Sequence, residues 1–555
     1  MPEQKDAVQS PQGPHTTAGA APGGSGFRPA RVAPVPLDVI ASALGVQVPA
    51  GAAGISVTGV SLNSRAVEPG DLYLALPGAS RHGAEFAGQA VAAGAVAILS
   101  DDDGARRLAA DATNSVPVLA VREPRAAVGP LSALVYRSQP AGEASPALFG
   151  VTGTNGKTTT TYFINSLLRA LGKTPGLIGT IEILAGAEAI PSLLTTPESP
   201  DVHALLALMR ERGLDAASME VSSHAISYRR VDGVMFDVAG FTNLTQDHLD
   251  LHGSMEEYFR TKAELFTPGR CRRAVVIVDD EWGRTLAAEA SVPVTRLSLA
   301  SGPDASGSAA DWVLASSSPR GLGSAFVLRH RDGVELRART ALPGDFNIAN
   351  AALATIMVLE SGVGLDPLQA ALDSGDPFAV AVPGRMQLVS DEPAAVVDFA
   401  HNPDALARAL EAVRSREEGS RVIVVFGATG QRDQGKRPTM GAIAARLSDV
   451  VIISDDDPHD EDAAAIRAEV LAGAVAAKEE EQLDCEIIES FPRDVAIRKA
   501  VELATEKDTI LVAGRGHEVW QEVKGVNLAL DDREELKAAL TARGFRVPAD
   551  ERIES

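Results

Sequence analysis

Two cysteines, Cys271 and Cys485, are all that 555 residues contain, and they lie far apart in the chain. No disulfide framework and no cysteine-based zinc site can be built from them, and a reducing cytosol fits such usage. No apolar run approaches the roughly 20 residues that span a bilayer, so no membrane partner is expected. The opening MPEQKDAVQS has no apolar stretch of the kind a secretory signal needs, and a cytoplasmic location is expected. Positive charge is short as well. The formal net charge of -23 excludes a general affinity for nucleic acid. No internal repeat is evident.

What is present is ordinary globular material. Apolar residues make up 45% of the chain, and the length suggests about three or four domains with ample core. The Pro-, Gly-, Ala-, Ser- and Thr-rich residues 1–34 cannot bury enough apolar surface to offset ordering, so a disordered tail is expected there. Residues 35–146 read as a small α/β domain. Its strands are Ile55 to Val60, Asp71 to Leu76 and Ala95 to Leu99, with a helix from Ala84 to Ala93 stopped by Gly94. Residues 147–382 alternate apolar strands (Ala216 to Val221, Val234 to Phe241, Arg273 to Val278) with helical stretches, which argues for a parallel sheet covered by helices. Segment 296–345 is β-rich, with a turn at Asp332-Gly333, and a helix follows from Phe346 to Leu359. Residues 383–555 repeat the alternation with runs Ala394 to Phe399, Val422 to Phe426, Val450 to Ile453 and Thr509 to Val512, the pattern of a Rossmann-like sheet. Helices are expected at Asp404 to Val413 and Ala463 to Ala477. The fold class is therefore α/β in three domains.

The run from Phe149 to Thr161, FGVTGTNGKTTTT, carries the strongest chemical signal. An apolar strand enters a glycine turn and leaves as a helix, so free backbone N–H groups and the helix N-terminus can cradle phosphate. Gly153, Thr154, Asn155 and Gly156 form the loop. Lys157 can reach the β- and γ-phosphates, and Thr158, followed by Thr159, can bind Mg²⁺. The spacing departs from the general phosphate-loop pattern, since Val151 stands where a glycine is usual and the nearest glycine is Gly150. Glu220 ends an apolar strand in SMEVSSH, a place that suits a Mg²⁺ ligand; a solvated strand-end glutamate is the plain alternative. His248 lies in TNLTQDHLD, again just past a strand, where ligands bind in α/β domains. A GTPase switch would need a guanine-reading NKxD segment, and there is none.

Taken together, TGTNGKTTT, EVSSHA, FTNLTQDHLDLHG and YFRTKAELF resemble the Mur ligases, ATP-dependent enzymes that build the peptidoglycan stem peptide. Gly344 to Asn350 resembles that family's GxFNxxN element, Val382 to Met386 its VPGRM hinge, and Asp398 to Pro403 its DYAHxP element. The MurE type, which adds the third residue, is suggested by Asn63-Ser64-Arg65 with Pro69 to Leu72, by Gly435-Lys436-Arg437-Pro438 with Met440, and by Ala513 to Glu518. The resemblance covers nearly everything from about residue 35 onward.

The resemblance implies roles. ATP and Mg²⁺ would be organised by Lys157, Thr158, Glu220 and His248, with Asn347, Arg385, His401 and Asn402 on the ATP side. Ser64 would hold the UDP part of UDP-N-acetylmuramoyl-L-Ala-D-Glu, and Thr195, Thr196, Ser222 and Arg230 its sugar-peptide. Lys262 matches a lysine that the family carries as a carbamate able to serve Mg²⁺; by sequence alone it is an ordinary helix lysine. The reaction implied is phosphorylation of the D-Glu side-chain carboxyl by ATP, then attack of an amine on the acyl phosphate, with the third domain closing over the site. A monomer is expected.

The amine is the open point. Members of this type that use meso-diaminopimelate carry a DNPR motif, whose arginine can pair with the second carboxylate. Here the stretch is Asp456-Asp457-Pro458-His459, and Gln431 replaces a usual aspartate beside Arg432. With Asp455 and Asp460 alongside, the locality is acidic, which suits a second ammonium and favours L-lysine over meso-diaminopimelate, with L-ornithine also open. The plain alternative is that these aspartates cap the helix starting near Asp462. Arg432 would hold the α-carboxylate, and Gly514 and Glu518 would complete the amino-acid site. A folylpolyglutamate synthase would share the ligase core but lack a domain like residues 35–145, and a non-catalytic homologue would be expected to lose Lys157, Glu220, His248 or Lys262.

Overall fold

The computed structural model describes residues 28–548 apart from 79, 301–309, 321, 416 and 432. The expected tail, residues 1–34, lies mostly outside them, and Arg432 lies outside them entirely. Among the described residues, 32–124 with Arg28 pack as one compact unit, and 125–548 with 29–31 as another.

In the first unit a parallel sheet runs in the order Gly59–Ser61, Asp71–Ala75, Ala97–Ser100, Val118–Ala120. Every residue of Asp71–Ala75 is buried, as a strand covered on both faces requires. The run Ile55 to Val60 is not one strand. Ser56–Val57 pairs antiparallel with Val35–Pro36, and only Gly59–Ser61 joins the main sheet. The helix expected from Ala84 to Ala93 opens as a 3-10 turn, Gly83–Phe86, capped by His82, before Ala87–Ala92 turns α-helical.

The second unit holds two large sheets. In the first, the strand Ala147–Thr152 that feeds the glycine loop lies centrally, between Ala216–Glu220 on one side and Phe236–Phe241 on the other, all parallel. Chain order reverses at this strand, and such a switch point opens a crevice at the strands' C-terminal ends. The loop, Glu220 and the segment after Phe241 all sit at that end. Antiparallel strands Trp312–Arg320, Gly323–His330 and Glu335–Thr340 extend the same sheet, which accounts for the β-rich stretch. The buried helix Asp345–Glu360 packs against the loop's own helix, Lys157–Ala170.

The second large sheet runs Gln387–Asp391, Ala394–Asp398, Thr509–Ala513, Val422–Phe426, Val450–Ile453, Glu486–Glu489, parallel except at its first edge. A separate hairpin, Trp520–Val523 with Val526–Ala529, follows it. Among the described residues no helix is long and apolar enough to cross a membrane.

Candidate active site

The glycine loop is shaped by two residues that must lack a side chain. Gly153 has φ +143°, and a Cβ there would lie 1.9 Å from Thr242 Oγ1. Gly156 has φ +91°, and a Cβ would lie 2.3 Å from Asn350 Oδ1. Val151 is fully buried in the preceding strand, so a glycine there would only leave a void.

Lys157 opens the loop's helix, and its ammonium donates to the carbonyls of Gly153 at 3.0 Å and Thr154 at 2.8 Å. Burial lowers its pKa, against the pull of Glu220 and Asp247. Thr158 donates to Glu220 Oε2 at 2.8 Å. Thr180, which carried no sequence signal, fixes that carboxylate through its N–H at 2.7 Å and its hydroxyl at 3.1 Å. Two hard oxygens so placed at a strand end fit Mg²⁺, which keeps most of its shell for phosphates and water. Among the described residues no set of three His, Cys, Asp or Glu side chains forms a metal cluster. His248 stands apart from the Thr158–Glu220 pair in chemistry: burial pushes its imidazole down to about 3, so it is neutral. Lys262 is 1% exposed and donates to the same Gly153 carbonyl at 2.8 Å, with its ammonium 4.6 Å from the Tyr258 ring centroid. Burial and the nearby Lys157 charge hold its pKa well below the ordinary lysine value.

The C-terminal sheet reaches this loop directly. Arg385 Nη2 donates to Thr158 Oγ1 at 3.3 Å, and its guanidinium stacks 4.1 Å over Phe399. Asn155 Nδ2 donates to Asp404 at 3.0 Å, and Asn155 Oδ1 accepts from Asn402 at 3.2 Å. His401 lies 3.8 Å from Asp247, whose carboxyl is held far below the usual range by His401 and His248 despite its burial. Asn347 is buried and bonds Pro343 O and Asn350, so it braces the helix behind the loop.

Of the residues expected at the sugar-peptide, Thr195, Ser222 and Arg230 line the same cavity, of about 1170 Å³. Thr196 is fully buried and spends its hydroxyl on Glu220 O at 2.8 Å, so it supports the wall from behind. Arg230 is held by Glu198 at 2.8 Å. Ser64 belongs to the other compact unit, where it donates to Gln89 at 2.9 Å.

Asp456, Asp457, His459, Gly514 and Glu518 line the same cavity. The acidic stretch is not an open seat for an ammonium, and here the charge argument from sequence has to be corrected. Asp455 pairs with Arg467, and Asp457 with the fully buried Arg515. Burial would raise the Asp456 pKa, but Arg493 and Arg515 lower it. The helix Ala463–Glu481 is capped by Asp462 and not by the aspartates before it, so the capping alternative does not hold for those either. His459 Nδ1 sits 3.0 Å from Glu522 on the hairpin. Glu518 also lies 3.7 Å from Arg515, yet burial, with Asp456 and Asp457 adding to it, pushes its pKa up to about 8, so it is largely protonated at pH 7.

Sequence models of three domains match the chain. They are the Mur ligase family catalytic domain over residues 56–136, the Mur ligase middle domain over 151–358, and the Mur ligase glutamate ligase domain over 384–516. A UDP-N-acetylmuramoyl-L-alanyl-D-glutamate--2,6-diaminopimelate ligase from Streptomyces coelicolor is 45% identical over 92% of this chain and 98% of its own. A UDP-N-acetylmuramyl-tripeptide synthetase from Leifsonia xyli is 44% identical over 94% and 99%. A solved structure of a UDP-N-acetylmuramoyl-L-alanyl-D-glutamate--2,6-diaminopimelate ligase superposes with a TM-score of 0.60 at 28% identity, covering 91% of this chain and 99% of that one.

Proposed function

The chain belongs to the Mur ligase family, and on that footing we propose that it joins meso-diaminopimelate to the D-Glu side-chain carboxyl of UDP-N-acetylmuramoyl-L-Ala-D-Glu. It is an ATP-dependent ligase of peptidoglycan precursor synthesis, and Mg²⁺ accompanies the nucleotide. The preference for L-lysine drawn from charge loses its support. The aspartates behind it are paired with arginines, and relatives from Streptomyces and Corynebacterium are named as 2,6-diaminopimelate ligases.

One observation carries the reading. The phosphate loop and the Asp456–Glu518 wall face a single cavity, so a nucleotide and an amine can meet over one carboxylate. Lys157 and the loop N–H groups would hold the phosphates in line. Thr158 and Glu220 would hold Mg²⁺, which neutralises phosphate charge when bound. The lowered Lys262 pKa favours the uncharged amine, the form that takes up carbon dioxide, and as a carbamate the residue would add a carboxylate beside the loop. Asn347, Arg385, His401 and Asn402 would close around the nucleotide, and Glu518 with Gly514 and Arg432 around the amino acid. Residues 35–146 would take the UDP-sugar through Ser64, 147–382 the ATP, and 383–555 the amino acid. The enzyme would work as a monomer in the cytoplasm.

The test is phosphate release from ATP with the UDP-dipeptide and one amine at a time. Release with meso-diaminopimelate and not with L-lysine or L-ornithine is expected. Release with L-lysine alone would overturn the choice of amine, and release with none would overturn the ligase reading.

A further inference from the structure

Lys436 has a role that none of the site residues above supplies. It opens the helix Lys436–Leu447, whose first turn has no side-chain cap. The residue is 6% exposed and lines the cavity. Its ammonium makes no hydrogen bond and no ion pair among the described residues. Other acids near it are spent elsewhere. Asp433 accepts from the Gly435 N–H at 2.9 Å and from Gln246 at 3.2 Å. Glu461 and Glu469 pair with Arg437. Asp247 acts on the ammonium electrostatically without an ion pair or hydrogen bond to it, and the uncapped head of the helix adds partial positive charge to the same spot. Such a site calls for an anion.

The position says which anion. Lys436 and Lys157 line one cavity together with Asp247, one from the head of the helix Lys436–Leu447 and the other from the end of the glycine loop. An anion that reaches from Lys157 toward Lys436 is the terminal phosphoryl group of the nucleotide, on its way to the acceptor carboxylate. We infer that Lys436 is a catalytic residue that binds the phosphoryl group in transit, as a second ammonium opposite Lys157. This rests on the ligase reading for its acceptor. The step itself is balanced: the carboxylate oxygen bonds to the γ-phosphorus, the bond to ADP breaks, and no proton is moved by Lys436. Its charge opposes the charge on the equatorial oxygens. A Lys436 that merely balanced Asp247 would not distinguish a triphosphate from a diphosphate.

The experiment compares Lys436→Met and Lys436→Arg with the wild-type enzyme. Calorimetric affinities are measured for ADP and for a non-hydrolysable ATP analogue, each with Mg²⁺, beside kcat and the unfolding midpoint. Lys436→Met is expected to weaken the analogue about tenfold while ADP stays within about twofold, and to lower kcat about a hundredfold, with Lys436→Arg recovering part of both. Its unfolding midpoint stays at or above the wild-type value, since the lost ammonium makes no ion pair or hydrogen bond among the described residues. The assignment is overturned by equal changes for ADP and analogue, by a kcat within about threefold of wild type, or by earlier unfolding. Should the wild-type enzyme release no phosphate with any amine, the ligase reading fails, while the ratio of analogue to ADP affinity still decides the role of Lys436.

Discussion

Glu518 makes the clearest prediction at the scale of a single residue. Its carboxyl is pushed up to about 8 by burial and by Asp456 and Asp457. At pH 7 it is neutral, and an incoming ammonium would drive its proton off. Binding of the diamino acid should therefore release a proton at pH 7 and tighten as pH rises from 7 toward 9. Calorimetry in buffers of different ionisation enthalpy reads that proton directly, and Glu518→Gln should abolish it. The sign for stability is the reverse. A carboxyl whose folded pKa lies above its unfolded value favours the fold below the unfolded value and disfavours it as pH passes about 8. Glu518→Gln should thus unfold at a higher temperature than wild type at pH 9 and show little difference at pH 4. Lys262 belongs at this scale too. Intact-protein mass in bicarbonate should show one added carboxyl group that acid removes, and Lys262→Ala should cost ~10²–10³ in kcat. Of these properties the sequence showed only the residue types. What tunes them is burial and neighbours from distant segments, such as Lys157 beside Lys262 and Asp456 beside Glu518.

Among elements, the glycine loop and the helix Ala463–Glu481 make opposite cases. The loop could be read in advance, because strand, glycines and helix are contiguous and each has a local cause. Gly156→Ala tests it: a φ of +91° and a contact at 2.3 Å with Asn350 predict a loss of about 1–3 kcal/mol and a collapse of ATP affinity. Chemical denaturation and nucleotide titration measure the two parts separately. The acidic run before the helix misled, because its partners Arg467, Arg493 and Arg515 enter from separate elements and no local pattern announces them. Asp462→Ala should lower stability by about 1 kcal/mol, the worth of an N-cap, and leave the choice of amine unchanged. The run Ile55 to Val60 failed as a single strand for a related reason. Its two halves serve different sheets, and alternation cannot say which neighbour a strand will find.

At the scale of the second compact unit, the two large sheets meet through a few polar contacts on the nucleotide side. Asn155 is central, since its amide engages Asn402 and Asp404 at once. Asp404→Ala should weaken ATP by about 1.5–3 kcal/mol, the worth of one charged hydrogen bond, and Asp404→Asn should recover part of it by keeping an acceptor. Small-angle scattering with an ATP analogue should show less compaction for Asp404→Ala than for wild type. The alternating strands of both sheets could be read from apolar periodicity. The way their C-terminal ends face one cavity could not, because Asn155 and Asp404 are far apart in sequence and their pairing is a property of the assembled unit. The central claim is that this cavity makes an acyl phosphate on the dipeptide. It is tested most directly by placing oxygen-18 in both oxygens of the D-Glu side-chain carboxylate and analysing the products of turnover. For every amide formed, one labelled oxygen should appear in inorganic phosphate and one remain in the amide. Phosphate free of label would contradict the account.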